Sequence, residues 1–167
     1  MSPPAGAGGS AGPADLPPVP VDVAVALVRP LRQAVLRPGR PPVESVYPGD
    51  DDPRSAHLAV RTASGEVLAV GSLLPEPPPW EVARLPGGCW RVRGMATRRG
   101  ARRRGYGRAV LDELLRRAAM EGEALVWCNA RVSAIALYLR AGFEPVGRPF
   151  RLPTIGEHQA MQRRAST

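Results

Sequence analysis

The 167-residue chain contains no lysine; all 23 of its basic side chains are arginine. That absence excludes a lysine nucleophile, Schiff-base chemistry and a Walker-type phosphate loop. Histidine is nearly as scarce. His57 and His158 are the only two, too few for a histidine-rich metal site. Cys89 and Cys128 are the only cysteines and lack CxxC spacing. They read as reduced core residues rather than zinc ligands, with a disulfide between them as the alternative. Aromatics make up 5% of the chain and none lies among the arginines of residues 98–104, which disfavours nucleic acid binding by base stacking. HExxH is missing. No apolar run approaches the ~20 residues of a membrane span, and there is no basic-then-apolar leader at the N-terminus. The expectation is a cytoplasmic protein without membrane association.

What is present starts with a net charge of +8. Such a surplus favours an anionic partner: a phosphorylated cofactor, nucleic acid or an acidic substrate. The scattered arginines also suit a solvated surface. Residues 1–20 are mostly Pro, Gly, Ala and Ser, with Asp15 the only charged side chain. They cannot bury enough apolar surface to offset ordering and read as a disordered tail. Residues 21–167 suit one domain.

Along that domain the pattern alternates between strand and helix. Val21 to Ala26 reads as a strand, and Leu27 to Leu36 as a short helix with Pro30 in its first turn. The run Asp50-Asp51-Asp52 reads as a solvated loop, with metal binding as the minor alternative. His57 to Ala63 and Glu66 to Leu74 form a hairpin around Ser64-Gly65. In the strand Cys89 to Thr97, Trp90 and Val92 share one face and Arg91 and Arg93 the other. Gly94 inside it marks a bulge or a close backbone approach. Arg108 to Glu121 is a helix whose Leu111, Leu114, Leu115 and Ala118 face the sheet. Ala124 to Cys128 is a buried strand. The next helix is expected to bury Val132, Ile135, Ala136 and Leu139 and to stop at Gly142. Phe143 to Phe150 and Glu157 to Arg163 complete the sheet as an antiparallel pair.

Between strand 89–97 and helix 108–121 lie six arginines and three glycines in eleven residues, Arg98 to Arg108. The first N–H groups of a helix lack intrahelical partners. The helix dipole places roughly half a positive charge there, and glycine lets a phosphate approach the backbone closely. A phosphate or pyrophosphate site near Arg103 to Arg108 follows. A dinucleotide fingerprint does not, because Val110 occupies the third small-residue position after Gly105 and Gly107.

Arg102-x-x-Gly105-x-Gly107 after a strand, then strand 124–128, then Leu137-Tyr138-Leu139-Arg140-Ala141-Gly142-Phe143 resembles the GNAT superfamily of N-acetyltransferases. The resemblance spans roughly residues 58–163 and is strongest over 89–143. It implies an α/β fold: a single GNAT-like domain with a mixed central sheet and helices on both faces. It implies acetyl-coenzyme A as acyl-donor substrate and transfer of the acetyl group to a primary amine by direct attack. Met95, Ala96 and Thr97 would bond the pantetheine arm through their backbone. Arg102, Arg103, Arg104, Gly105, Tyr106, Gly107 and Arg108 would form the pyrophosphate turn, although the family commonly has glycine where Arg103 stands. Asn129 would bond the pantetheine or cap the next helix. The family's frequent asparagine near the start of that helix is replaced by Arg131.

Tyr138 matches the tyrosine that often protonates the leaving thiolate in this family. Helical spacing turns it off the expected core stripe, toward the cofactor sulfur, with a packing tyrosine as the alternative. His57, Glu81 and His158 are candidates for the base that deprotonates the amine. The acceptor, a small molecule or a peptide, and the oligomeric state are not encoded in these motifs. A non-catalytic module holding coenzyme A or nucleic acid on the same fold is the alternative function.

Overall fold

The computed structural model describes residues 19–167. Residues 1–18, most of the expected tail, lie outside the described residues. The elements are β1 (Val21–Asp22), α1 (Val25–Leu36), β2 (Ala56–Arg61), β3 (Val67–Pro75), β4 (Cys89–Thr97), α2 (Tyr106–Met120), β5 (Ala124–Arg131), α3 (Ile135–Arg140), β6 (Glu144–Leu152) and β7 (Gly156–Ala165). The strands form one mixed sheet in the order β1-β2-β3-β4-β5-β7-β6.

Every neighbouring pair is antiparallel except β4 and β5. Those two run parallel and pair only from Cys89 to Arg91 with Leu125 to Trp127. Beyond Arg91 they diverge. The gap between them positions the site.

Helices cover both faces of the sheet. Leu111, Leu114, Leu115 and Ala118 of α2 bury the expected stripe against Leu58, Leu73, Val92 and Val126. On the opposite face, Val28 and Leu31 of α1 pack on Ala59, Val70 and Ala96. Trp90 and Val92 belong to the α2-side core, as alternation requires. Gly94, at φ +62°, lies where the β3–β4 register shifts. The bulge flips the phase of the strand: Met95 packs on the α2 side and Ala96 on the α1 side. Gly94 is also a close approach, since an added Cβ would lie 2.5 Å from Arg32 Nε. Both readings of this glycine hold at once.

Several expectations are corrected. The first strand stops at Asp22, and α1 begins at Val25, so Pro30 sits mid-helix rather than in the first turn. Asp50 is not solvated: it is buried and bonded to the equally buried Arg32, Oδ2 to Nη1 2.8 Å. Strand β5 runs on to Arg131, so Asn129 is mid-strand, opposite Ala160, and does not cap a helix. The stripe expected for α3 is wrong. Val132 and Leu139 are about half exposed, and Ala136 is exposed. Tyr138 and Ala141 are buried instead. The cause is a 3-10 turn over Val132–Ala134, whose tighter winding shifts the phase before α3 begins. Among the described residues, no helix is long and apolar enough to cross a membrane.

Candidate active site

The divergence of β4 from β5 leaves backbone groups of Val92 to Thr97 without a strand partner on the gap side. Such groups need a hydrogen-bonding partner when they are shielded from water. A cavity of about 520 Å³ fills this gap and reaches both sheet faces. Met95, Ala96, Thr97, Arg102, Arg103, Gly107, Asn129 and Tyr138 all line it. Arg104, Gly105, Tyr106 and Arg108 do not. Arg108 is engaged elsewhere, with Asp112 at 2.8 Å and the Arg140 carbonyl at 3.1 Å.

The turn into α2 is built for close approach. Gly105 is the N-cap, in the left-handed region at φ +81°. Gly107 follows in the first helical turn, and a Cβ there would stand 3.2 Å from Thr97 Oγ1. Arg103 also sits at positive φ, +63°. This is the position where the related family commonly has glycine, and the backbone geometry explains that preference. Arginine holds the same geometry here at a conformational cost of order 1 kcal/mol.

Tyr138 lies between core and cavity. It is only 5% exposed, and its ring meets Phe143 edge-on at 5.3 Å between centroids. The expectation that it points away from the core is therefore corrected, yet its surface still lines the cavity. Cys128 is its titratable neighbour. Burial, with Cys128 adding to it, raises the Tyr138 hydroxyl well above its usual range. Burial likewise pushes the Cys128 thiol up to about 12. Both groups stay protonated at neutral pH. Cys128 and Cys89 are free thiols, not a disulfide.

Of the three candidate bases, only His158 lines the cavity. Its Nδ1 is 2.9 Å from the Gly156 carbonyl, which can only accept, so Nδ1 is the donor and in the neutral ring Nε2 holds the lone pair. His57 is committed to structure: its ring nitrogens meet Ser72 Oγ at 2.7 Å and the Asp50 carbonyl at 2.9 Å. Glu81 borders a separate cleft with Trp80 and Gln162.

Sequence reasoning missed the other wall of the cavity. Arg37, Tyr47, Arg93, Arg131 and Leu152 line it. Alternation in β4 placed Arg93 opposite the core, but no signal announced that Tyr47, in an irregular loop, would cover it. The Tyr47 ring is held between two guanidinium groups, with Arg32 Cζ at 4.4 Å and Arg93 Cζ at 4.2 Å from its centroid.

A family model described as the acetyltransferase (GNAT) family matches residues 28–143. The chain is 31% identical over 137 residues to the uncharacterized N-acetyltransferase YitI of Bacillus subtilis (strain 168), covering 82% of this chain and 89% of that one. The fold is similar to that of the ribosomal-protein-S18-alanine N-acetyltransferase from Escherichia coli. There the TM-score is 0.67 at 19% identity, over 89% of this chain and 94% of the other. It is also similar to that of a phosphinothricin acetyltransferase from Sinorhizobium meliloti in complex with AcCoA. In that case the TM-score is 0.60 at 19% identity, over 90% of each chain. With the motif order, the parted parallel strands and the glycine-bearing turn into α2 already in place, these matches establish that the chain belongs to the acetyltransferase (GNAT) family, enzymes that take an acetyl group from acetyl-coenzyme A.

Proposed function

We propose that this protein transfers the acetyl group of acetyl-coenzyme A to a primary amine by direct attack. The observation that carries the reading is the parting of β4 and β5 after Arg91, with the cavity in the gap and the turn into α2 at its end. The pantetheine arm would add itself as a strand-like partner to Met95, Ala96 and Thr97. The pyrophosphate would meet the N–H groups from Arg103 to Arg108. Asn129, facing the cavity from β5, would hold the arm from the other side.

The amine nitrogen must lose a proton before its lone pair can attack the thioester carbon. His158, on the cavity wall, would be the base, because the Nε2 of its neutral ring can accept. Attack forms the C–N bond and moves charge to the carbonyl oxygen, which backbone N–H groups around Met95 to Thr97 would stabilise. Collapse breaks the carbon–sulfur bond. The thiolate then takes the proton of Tyr138, which burial keeps protonated. The base takes one proton from the ammonium, the attacking nitrogen loses its second as the amide forms, and that proton replaces the one Tyr138 gave to sulfur, so the products are the amide, free coenzyme A and one proton left on the base.

Replacing Gly107 tests the cradle. Gly107→Val puts a β-branched side chain on the cavity wall, where even a Cβ has only 3.2 Å to Thr97 Oγ1. Titration calorimetry should show coenzyme A binding weakened strongly while the protein still melts cooperatively. Unchanged affinity in a folded variant would remove the turn from the donor site.

A further inference from the structure

The cavity has an unusual charge balance. Six arginines line it: Arg37, Arg91, Arg93, Arg102, Arg103 and Arg131. Among the described residues, no aspartate or glutamate lines it. Arg91 is neutralised from outside by Glu76 at 2.7 Å. Arg102 and Arg103 belong to the turn into α2, where the coenzyme phosphates would lie. Arg37, Arg93 and Arg131 are different. None of them forms an ion pair with a carboxylate among the described residues.

Two of the three meet at the C-terminal end of α1, and Arg93 lines the same cavity. Arg37 is its C-cap residue, and its Nη1 donates to the Leu36 carbonyl at 2.9 Å. Arg131 reaches the same carbonyl from β5, with Nη2 at 2.5 Å. Arg93 stacks on Tyr47. His158 stands directly opposite Arg131 in the β5–β7 ladder and so faces the same side of the sheet. Burial, then Arg91, lowers the Arg93 guanidinium from its usual range; burial, then Arg37, does the same for Arg131. A helix C-terminus offsets part of this charge, but one carbonyl does not neutralise the two guanidinium groups bonded to it. Half-buried cations held together without a counter-ion are poised for an anion, and planar guanidinium groups suit a carboxylate. A polycationic acceptor would need acidic groups that this wall lacks.

We propose that the acceptor is an amine that also carries a carboxylate, which Arg93, Arg131 and Arg37 bind on the α1 side of the cavity, presenting its amine to the thioester beside His158. The inference rests on the acetyltransferase reading above. It has a chemical corollary. Nearby guanidinium charge disfavours an ammonium, so the same cluster that holds the carboxylate helps the amine lose its proton.

The test is steady-state coenzyme A release from the full chain with four sets of probes: the free amino acids, their carboxamides, short peptides with a free C-terminus, and spermidine. Free amino acids and C-terminal peptides separate the two sources of the carboxylate. Carboxylate-bearing amines should exceed their amides by about 10- to 100-fold in kcat/KM, the scale of a charge-assisted hydrogen-bond pair. Arg131→Gln and Arg93→Gln should each shrink that preference toward one, and Arg131→Lys should restore part of it. Coenzyme A affinity and melting temperature, measured on the same variants, should stay near the parent values.

Amides or spermidine used as well as the acids would overturn the inference while leaving acetyl transfer intact. So would variants that lose coenzyme A affinity with the acid preference unchanged. If no probe turns over, calorimetry of the coenzyme A-loaded protein with the same acids and amides decides, and absence of selective acid binding sinks the idea. Failure of the parent to bind coenzyme A at all would defeat the acetyltransferase reading itself.

Discussion

At the scale of single residues, Tyr138 carries the sharpest expectation. Its ring lines the cavity and packs on Phe143 in the core, and burial keeps its hydroxyl protonated. Tyr138→Phe keeps the ring and its edge-on contact and removes only the hydroxyl. Turnover should fall by about 10²- to 10⁴-fold, the usual contribution of a general acid. Coenzyme A affinity and melting temperature should change little. Turnover within about threefold of the parent, with chemistry shown to be rate-limiting, would leave Tyr138 a packing residue and the thiolate to be protonated by solvent.

Among the elements, β1 is the least secured by its own length. It has two exposed residues and pairs only with β2. A charge relay ties it to α2: Arg117 bonds Asp22 through Nη2 at 2.5 Å and Glu113 through Nε at 2.9 Å, and Arg116 reaches Glu113 at 2.6 Å. The Arg117 bond holds the Asp22 carboxyl below its usual range. Arg116, with Arg117, holds Glu113 at about 2 against an ordinary 4.5. Carboxyls lowered by folding contribute stability above their unfolded values, and that contribution is lost as pH falls toward the folded ones. Stability of the parent should therefore decline from about pH 4.5 to pH 2. These groups are solvent-exposed enough that screening limits the combined effect to about 1 kcal/mol. Urea titrations should show a shallower decline over the same window for Asp22→Asn/Glu113→Gln. Parallel curves for parent and variant would show that the relay contributes nothing.

For the whole molecule, the question is what a net charge of +8 serves. The ion pairs among the described residues engage ten arginines and ten carboxylates, so the surplus rests on the arginines outside them. Of these, Arg37, Arg93 and Arg131 are half-buried on the cavity wall, while Arg99 and Arg102 to Arg104 are exposed at the turn where the coenzyme phosphates would lie. Duplex and single-stranded nucleic acid should accordingly bind only in the non-specific range, ~10⁻⁴ to 10⁻⁶ M at physiological salt. Sequence-selective, submicromolar binding at that salt would favour a nucleic-acid module on this fold instead.

Much of this architecture was written locally. The bounds of β4 follow from alternation between Pro86-Gly87-Gly88 and the arginine turn, and α2 buries the stripe its leucines define. Gly94 announced its bulge because a strand has little other use for glycine. The order of motifs from Arg102 to Phe143 was enough to name the family, since phosphate contact constrains residues adjacent in sequence. What escaped were features that depend on elements far apart. Asp50 became half of a buried pair because Arg32, eighteen residues earlier, swings beneath the same loop. Tyr138 turned inward because a single 3-10 turn shifted the phase of its helix. Arg131 met Arg37 only when the end of α1 reached β5, and Arg93, on the strand that parts from it, lines the same cavity. Hydrophobic period and turn chemistry act over a few residues and can be read one at a time. A charge cluster drawn from a helix end and two separated strands exists only once packing has brought them together, and tertiary structure alone decided it.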